Sequence, residues 1–159
     1  MKKIILYLSA GLLALTAGIS IQYYTKYDFA TLDGSTYTFN ELEGNWIVVN
    51  YFAEWCAPCL REIPELNHFQ EKALADNTKI KLFGVSYDAM QDHELQLIAD
   101  KYDIQFPLIT DVDTALPFEL PKYLPATYLI RPDGSLAGQL LGEQSARSLQ
   151  EAISAANTN

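Results

Sequence analysis

The stretch 51-YFAEWCAPCLREIP-64 holds both cysteines of a 159-residue chain, Cys56 and Cys59, with Pro58 between them and Trp55 in front. Just upstream, 46-WIVVNYFA-53 is almost unbroken in apolar and β-branched residues, as a strand covered on both faces of a parallel sheet requires. Asn50 is its one polar interruption. From Ala57 to about Ala75 the pattern changes to a helical one, with Leu60, Ile63, Leu66, Phe69 and Leu74 on one stripe. Pro64 is expected to kink that helix, because proline removes a backbone donor and clashes with the preceding turn. The CxxC therefore stands where a buried strand ends and a helix begins.

Working outward, residues 80–88 (IKLFGVSYD) read as a second buried strand, 93–102 (HELQLIADKY) as a second helix, and FPLITD as a shorter strand. Residues 126–141 read as two antiparallel strands joined at Pro132-Asp133-Gly134, and 145–157 as an amphipathic helix capped by Ser145. Upstream of the CxxC strand, Asp33-Gly34 marks a turn and Thr36–Phe39 suit a strand, which predicts an N-terminal hairpin. The order hairpin, strand, helix, strand, helix, strand, strand, helix implies an α/β domain, with a central mixed sheet flanked by helices on both faces and a right-handed first crossover. In such sheets chemistry gathers at the carboxyl ends of the strands, which is where the CxxC lies.

The first 22 residues form a targeting segment: Lys2 and Lys3, then an uncharged apolar run from Ile4 to Ile21. Its 18 residues lie near the minimum for crossing a bilayer and above the usual apolar core of a cleaved signal, so an anchor is favoured over a signal peptide. In both readings the leading lysines stay in the cytoplasm and the rest is exported, to the periplasmic side of the cytoplasmic membrane. Residues 23–30 are read as a tether and 31–159 as the folded domain. Beyond Lys3 the chain carries 9 Lys and Arg against 20 Asp and Glu, a formal net charge of −11, which disfavours nucleic acid and other polyanionic partners.

At a helix start, Cys56 meets unpaired backbone N–H groups and the positive end of the helix dipole, which stabilise its thiolate and make it the attacking sulfur. Cys59, one turn in and less readily ionised, resolves the mixed disulfide. Pro58 suits the first helical turn, where its absent N–H needs no partner, and Trp55 can shield one side of the sulfurs. Two other readings compete with a redox couple. Zinc needs four ligands, and the chain adds only His68 and His93 in no recognisable spacing. A structural disulfide across two residues constrains the unfolded chain little. A redox couple is the leading reading, and it calls for neither metal nor cofactor.

The combination of NYFAEWCAPC after a buried strand, Pro64 in the helix and LPATYLIRPDG near the end resembles the thioredoxin fold, specifically its membrane-tethered TlpA/ResA-like thiol-disulfide oxidoreductases. The resemblance covers about residues 30–155. It implies that Pro125 is a cis-proline facing the CxxC, leaving the backbone of Leu124 free to pair with substrate. It also implies that Glu62 takes part in the proton chemistry of the thiols, and i, i+3 spacing puts Glu62 on the same helix face as Cys59. Where ordinary thioredoxins carry a buried aspartate, this chain has Asn50, which cannot accept a proton and is expected to make a buried hydrogen bond instead. Glu54 is expected to be exposed.

The expected function is an extracytoplasmic reductase of disulfides in exported proteins, apocytochrome c among them by family analogy, re-reduced by a membrane electron donor. Ala57-Pro58 between the cysteines, with no histidine, points to the reducing end of the range. A DsbA-like oxidant and a redox-inactive binding module are the alternatives. Peroxiredoxin chemistry is disfavoured because no PxxxTxxC motif occurs.

Overall fold

In the computed structural model, which describes residues 27–112 and 116–157, the strands are β1 (Phe29–Thr31), β2 (Thr36–Tyr37), β3 (Trp46–Phe52), β4 (Ile80–Ser86), β5 (Leu108–Val112), β6 (Ala126–Ile130) and β7 (Leu136–Leu141). The helices are α1 (Phe39–Leu42), α2 (Ala57–Ala75), α3 (Asp92–Tyr102) and α4 (Ala146–Ala156). One seven-stranded sheet runs β2-β1-β5-β4-β3-β6-β7. β3, β4 and β5 are mutually parallel, and the remaining pairings are antiparallel.

β3 is buried along its whole length because it sits between β4 and β6 with side chains packed above and below. Its even positions, Trp46, Val48 and Phe52, join Leu82, Leu108 and Leu129 against α2, α3 and α4. Its odd positions, Ile47, Val49 and Tyr51, join Phe29, Phe83, Ile109 and Tyr128 on the opposite face. The expectation of helices on both faces is thus corrected: the three long helices share one face. The crossovers β3-α2-β4 and β4-α3-β5 step in the same direction across the sheet, and two crossovers of one hand that do so land on the same side. The other face is closed by α1 through Leu42, by the β1–β2 hairpin and by the coil before β6 through Phe118 and Leu124.

The N-terminal hairpin forms as expected, turning at Gly34 with φ +83°. Its second strand ends at Tyr37, short of Phe39. Thr38 caps α1 instead, its hydroxyl accepting from the Glu41 N–H at 3.3 Å while the Glu41 carboxylate accepts from the Thr38 N–H at 3.0 Å. β1 starts at Phe29, so the last two residues of the stretch read as a tether lie in the sheet, with Phe29 buried. α2 runs unbroken through Pro64. Ser145 caps α4 as expected, accepting from the Ser148 N–H at 3.1 Å. The segment read as an anchor lies outside the described residues, and among those described no helix is long and apolar enough to cross a membrane.

Candidate active site

The site forms where β3 ends. Ala53 to Trp55 turn the chain, and Cys56 becomes the N-cap of α2, its sulfur accepting from the Cys59 N–H at 3.4 Å. Cys56 and Cys59 are joined as a disulfide. Cys59 is fully buried, while Cys56 keeps slight exposure. Pro58 occupies the first turn, where no intrahelical donor is lost. The free N–H groups of that turn and the helix dipole act on Cys56, and they favour negative charge on its sulfur once the disulfide opens.

Trp55 is 66% exposed. Its indole N–H donates to Asp88 at 2.7 Å and its ring meets Tyr87 edge-on at 6.4 Å, so the β4–α3 connection fixes its orientation. Glu54 is exposed as expected and pairs with Lys101 at 2.9 Å.

The Leu124–Pro125 peptide is cis. Pro125 directly precedes β6, whose Ala126 is in register with Tyr51 near the end of β3, and this pairing carries the cis bond to the strand end that leads into the CxxC. The Pro125 carbonyl accepts from the Gly142 N–H at 3.0 Å. Among the described residues, neither the N–H nor the C=O of Leu124 has a hydrogen-bond partner.

Behind the disulfide lies a buried polar group. Glu62, 1% exposed, sits one turn along α2 from Cys59. Its Oε1 accepts from the Asn50 amide at 2.8 Å and its Oε2 from the Gln144 backbone N–H at 2.8 Å. Asn50 also donates to the Thr127 hydroxyl at 3.1 Å, the buried hydrogen bonding expected of it. Burial pushes the Glu62 carboxyl up to about 7; the two donated hydrogen bonds oppose that rise and the nearby charge of Glu143 adds to it. A group poised there exchanges a proton readily near neutral pH. Glu143 is itself held in an ion pair with Arg61.

Sequence reasoning missed Gln144, Thr127 and Asp88. Gln144 reaches Glu62 through its backbone, which no side-chain pattern betrays. Thr127 was legible only as a hydroxyl in an otherwise apolar strand.

A mixed sheet with a CxxC disulfide at a strand-to-helix junction and a cis-proline at the neighbouring strand end defines a thiol-disulfide oxidoreductase of thioredoxin-like fold. Residues 23–139 match the AhpC/TSA family, and the chain belongs to that family. Thiol-disulfide oxidoreductase ResA of Bacillus cereus is 28% identical over 127 residues, covering 75% of this chain and 68% of that protein. Thioredoxin-like protein YneN of Bacillus subtilis is 25% identical over 130 residues, covering 80% and 74%. The crystal structure of StoA from Bacillus subtilis superposes with a TM-score of 0.65 at 21% identity, covering 80% of this chain and 95% of that one, which is a likeness of fold.

Proposed function

We propose that this protein is a membrane-tethered reductase of disulfides in exported proteins, apocytochrome c included, working on the periplasmic side of the cytoplasmic membrane. The observation that carries this reading is the Cys56–Cys59 pair at the start of α2, together with the cis Leu124–Pro125 peptide at the neighbouring strand end and a Leu124 main chain that is unpaired among the described residues. An extended substrate segment pairs with Leu124 as an added strand and presents its disulfide to Cys56.

In the reduced enzyme the Cys56 thiolate attacks one substrate sulfur, forming a mixed disulfide, and the other substrate sulfur leaves as a thiolate that takes up a proton. Cys59 then gives its proton to Glu62 and attacks Cys56, which closes the internal disulfide and releases the second substrate thiolate. Two electrons pass to the substrate, and a membrane dithiol donor restores the enzyme. Asn50 and the Gln144 N–H orient the Glu62 carboxylate for this proton transfer. Ala57-Pro58 supports a potential near the reducing end of the known range, about −270 mV.

The test replaces Cys59 with serine in the native host and isolates what is captured on Cys56. Exported proteins joined through Cys56 are expected. Absence of adducts, or adducts that require Cys59, overturns the assignment of attacker and resolver. Equilibration against glutathione decides direction: a couple that is oxidised only by very oxidising buffers makes the protein an oxidant. Absence of insulin reduction makes it a binding module.

A further inference from the structure

The two groups that hold the Glu62 carboxylate are unequally fixed. Asn50 lies in β3, buried, and its amide is also bonded to the Thr127 hydroxyl of β6. Gln144 lies in the connection between β7 and α4, residues 142–145, where Gly142 and Glu143 are exposed. A donor on a connecting segment keeps its aim only if other contacts hold that segment, because such segments are the more mobile parts of a fold.

α2 supplies those contacts from residues on either side of Glu62. The Arg61 guanidinium reaches Glu143 with two N–H groups, Nε to Oε2 at 3.3 Å and Nη2 to Oε1. The Glu65 Oε2 accepts from the Ala146 N–H at 3.0 Å. Ala146 is the first residue of α4, so its N–H has no partner within the helix, and the Glu65 carboxylate also meets the positive end of the helix dipole. The three contacts advance in step, Arg61 to Glu143, Glu62 to Gln144 and Glu65 to Ala146, because spacings of three and four residues put these side chains on one helix face. The near end of the connection is tied as well, by the Gly142 N–H to the Pro125 carbonyl at 3.0 Å. Exposed ion pairs add little stability, but a two-pronged arginine contact fixes geometry.

We propose that Arg61 and Glu65 are positioning residues for the proton step: they clip segment 142–146 to α2 and keep the Gln144 N–H on Glu62. The inference rests on the proton-acceptor role of Glu62 under Proposed function and deepens it. That N–H favours the charged carboxylate, which is the form that takes the Cys59 proton. Among the described residues, the charged and titratable groups around this carboxyl are Arg61, Glu65 and the two cysteines on α2, Glu143 on the connection, and Arg147 on α4, which pairs with Glu151. β3 and β6 present Asn50 and Thr127, which carry no charge.

The test is the midpoint of the pH profile for single-turnover insulin reduction by the reduced full chain, with amide hydrogen exchange of residues 142–146 followed by mass spectrometry. Glu65→Ala separates two explanations by sign. As a lost negative charge it would lower the midpoint or leave it in place. As a lost clip it should raise the midpoint by about one pH unit, slow the reaction at pH 7 about fivefold and speed exchange of the segment. Glu65→Gln, whose amide oxygen still accepts from Ala146, should not raise it, and Arg61→Lys should keep it. Arg61→Ala should raise it. A midpoint that Glu62→Gln abolishes but Glu65→Ala leaves or lowers overturns the clip alone, and so do equal rises in Glu65→Ala and Glu65→Gln. A midpoint that survives Glu62→Gln overturns the proton-acceptor role and the inference with it.

Discussion

On one face of the sheet α2, α3 and α4 close over Val48, Leu82 and Leu129 and enclose the Asn50–Glu62–Thr127 hydrogen bonds. On the other, Phe29, Tyr37, Phe39 and Phe83 gather within ring-centroid distances of 5.1 to 6.0 Å, and Phe118 stacks on Tyr128 at 4.0 Å. Among the described residues, that second face has one four-residue helix over it, and it retains a cavity of about 380 Å³, lined among others by Phe29, Leu42, Phe83 and Ile130. The helical face keeps a carboxyl at a site where burial disfavours its charge, and the aromatic face holds two phenols, Tyr51 and Tyr128, whose ionisation burial also disfavours, pushing Tyr51 up to about 12. The difference teaches that the group raised towards neutral pH lies where α2 brings side chains behind the cysteines, while the phenols buried on the aromatic face stay neutral there.

The largest change is expected on the aromatic face. Phe83→Ala should destabilise the domain by about 3–5 kcal/mol in urea unfolding while leaving the Cys56–Cys59 potential unchanged. A shifted potential would break the division between the faces.

Next comes Glu62. Its folded-state pKa is raised from 4.5 to about 7, so between those values the folded protein binds more protons than the unfolded one, and stability falls as pH rises. The fall amounts to about 3 kcal/mol, is absent below pH 4.5 and is complete above 7. Glu62→Gln should remove this slope, measured as the difference between the wild-type and variant stability profiles, and should flatten the pH dependence of insulin reduction. If both profiles keep their slope, Glu62 is not the titrating group.

Gly84 pairs with Asn50 across β3–β4. A Cβ there would meet Leu108 Cδ2 at 2.5 Å and Phe106 Cε2 at 2.7 Å, so Gly84→Ala should cost about 1–3 kcal/mol by overpacking the helical face. The smallest effect is expected at the cap of α4, where Ser145→Ala should cost about 1 kcal/mol in the same unfolding measurement.

Much of this was legible in the sequence where one local signal determines one local structure. The buried strand, the CxxC junction, the Asp33-Gly34 turn and the Ser145 cap are of that kind. The T-x-x-E box at Thr38 was equally local, but Thr36–Phe39 also has strand character, and the cap won because its two hydrogen bonds need only one turn of chain. The placement of the helices was not local. It depends on the direction in which successive crossovers step, which residue periodicity does not carry. Glu62 shows the same limit inside the site: its spacing put it on the right helix face, but its burial depends on Gln144, 82 residues away.

That remote contact makes the enzyme observable from its own backbone. The Gln144 N–H ends on the Glu62 carboxylate, so its amide proton resonance should follow the charge of that carboxylate through its chemical shift. One peak in a nitrogen–proton correlation spectrum then records the protonation of a side chain sealed from solvent, in the oxidised and the reduced enzyme alike, without a label near the cysteines.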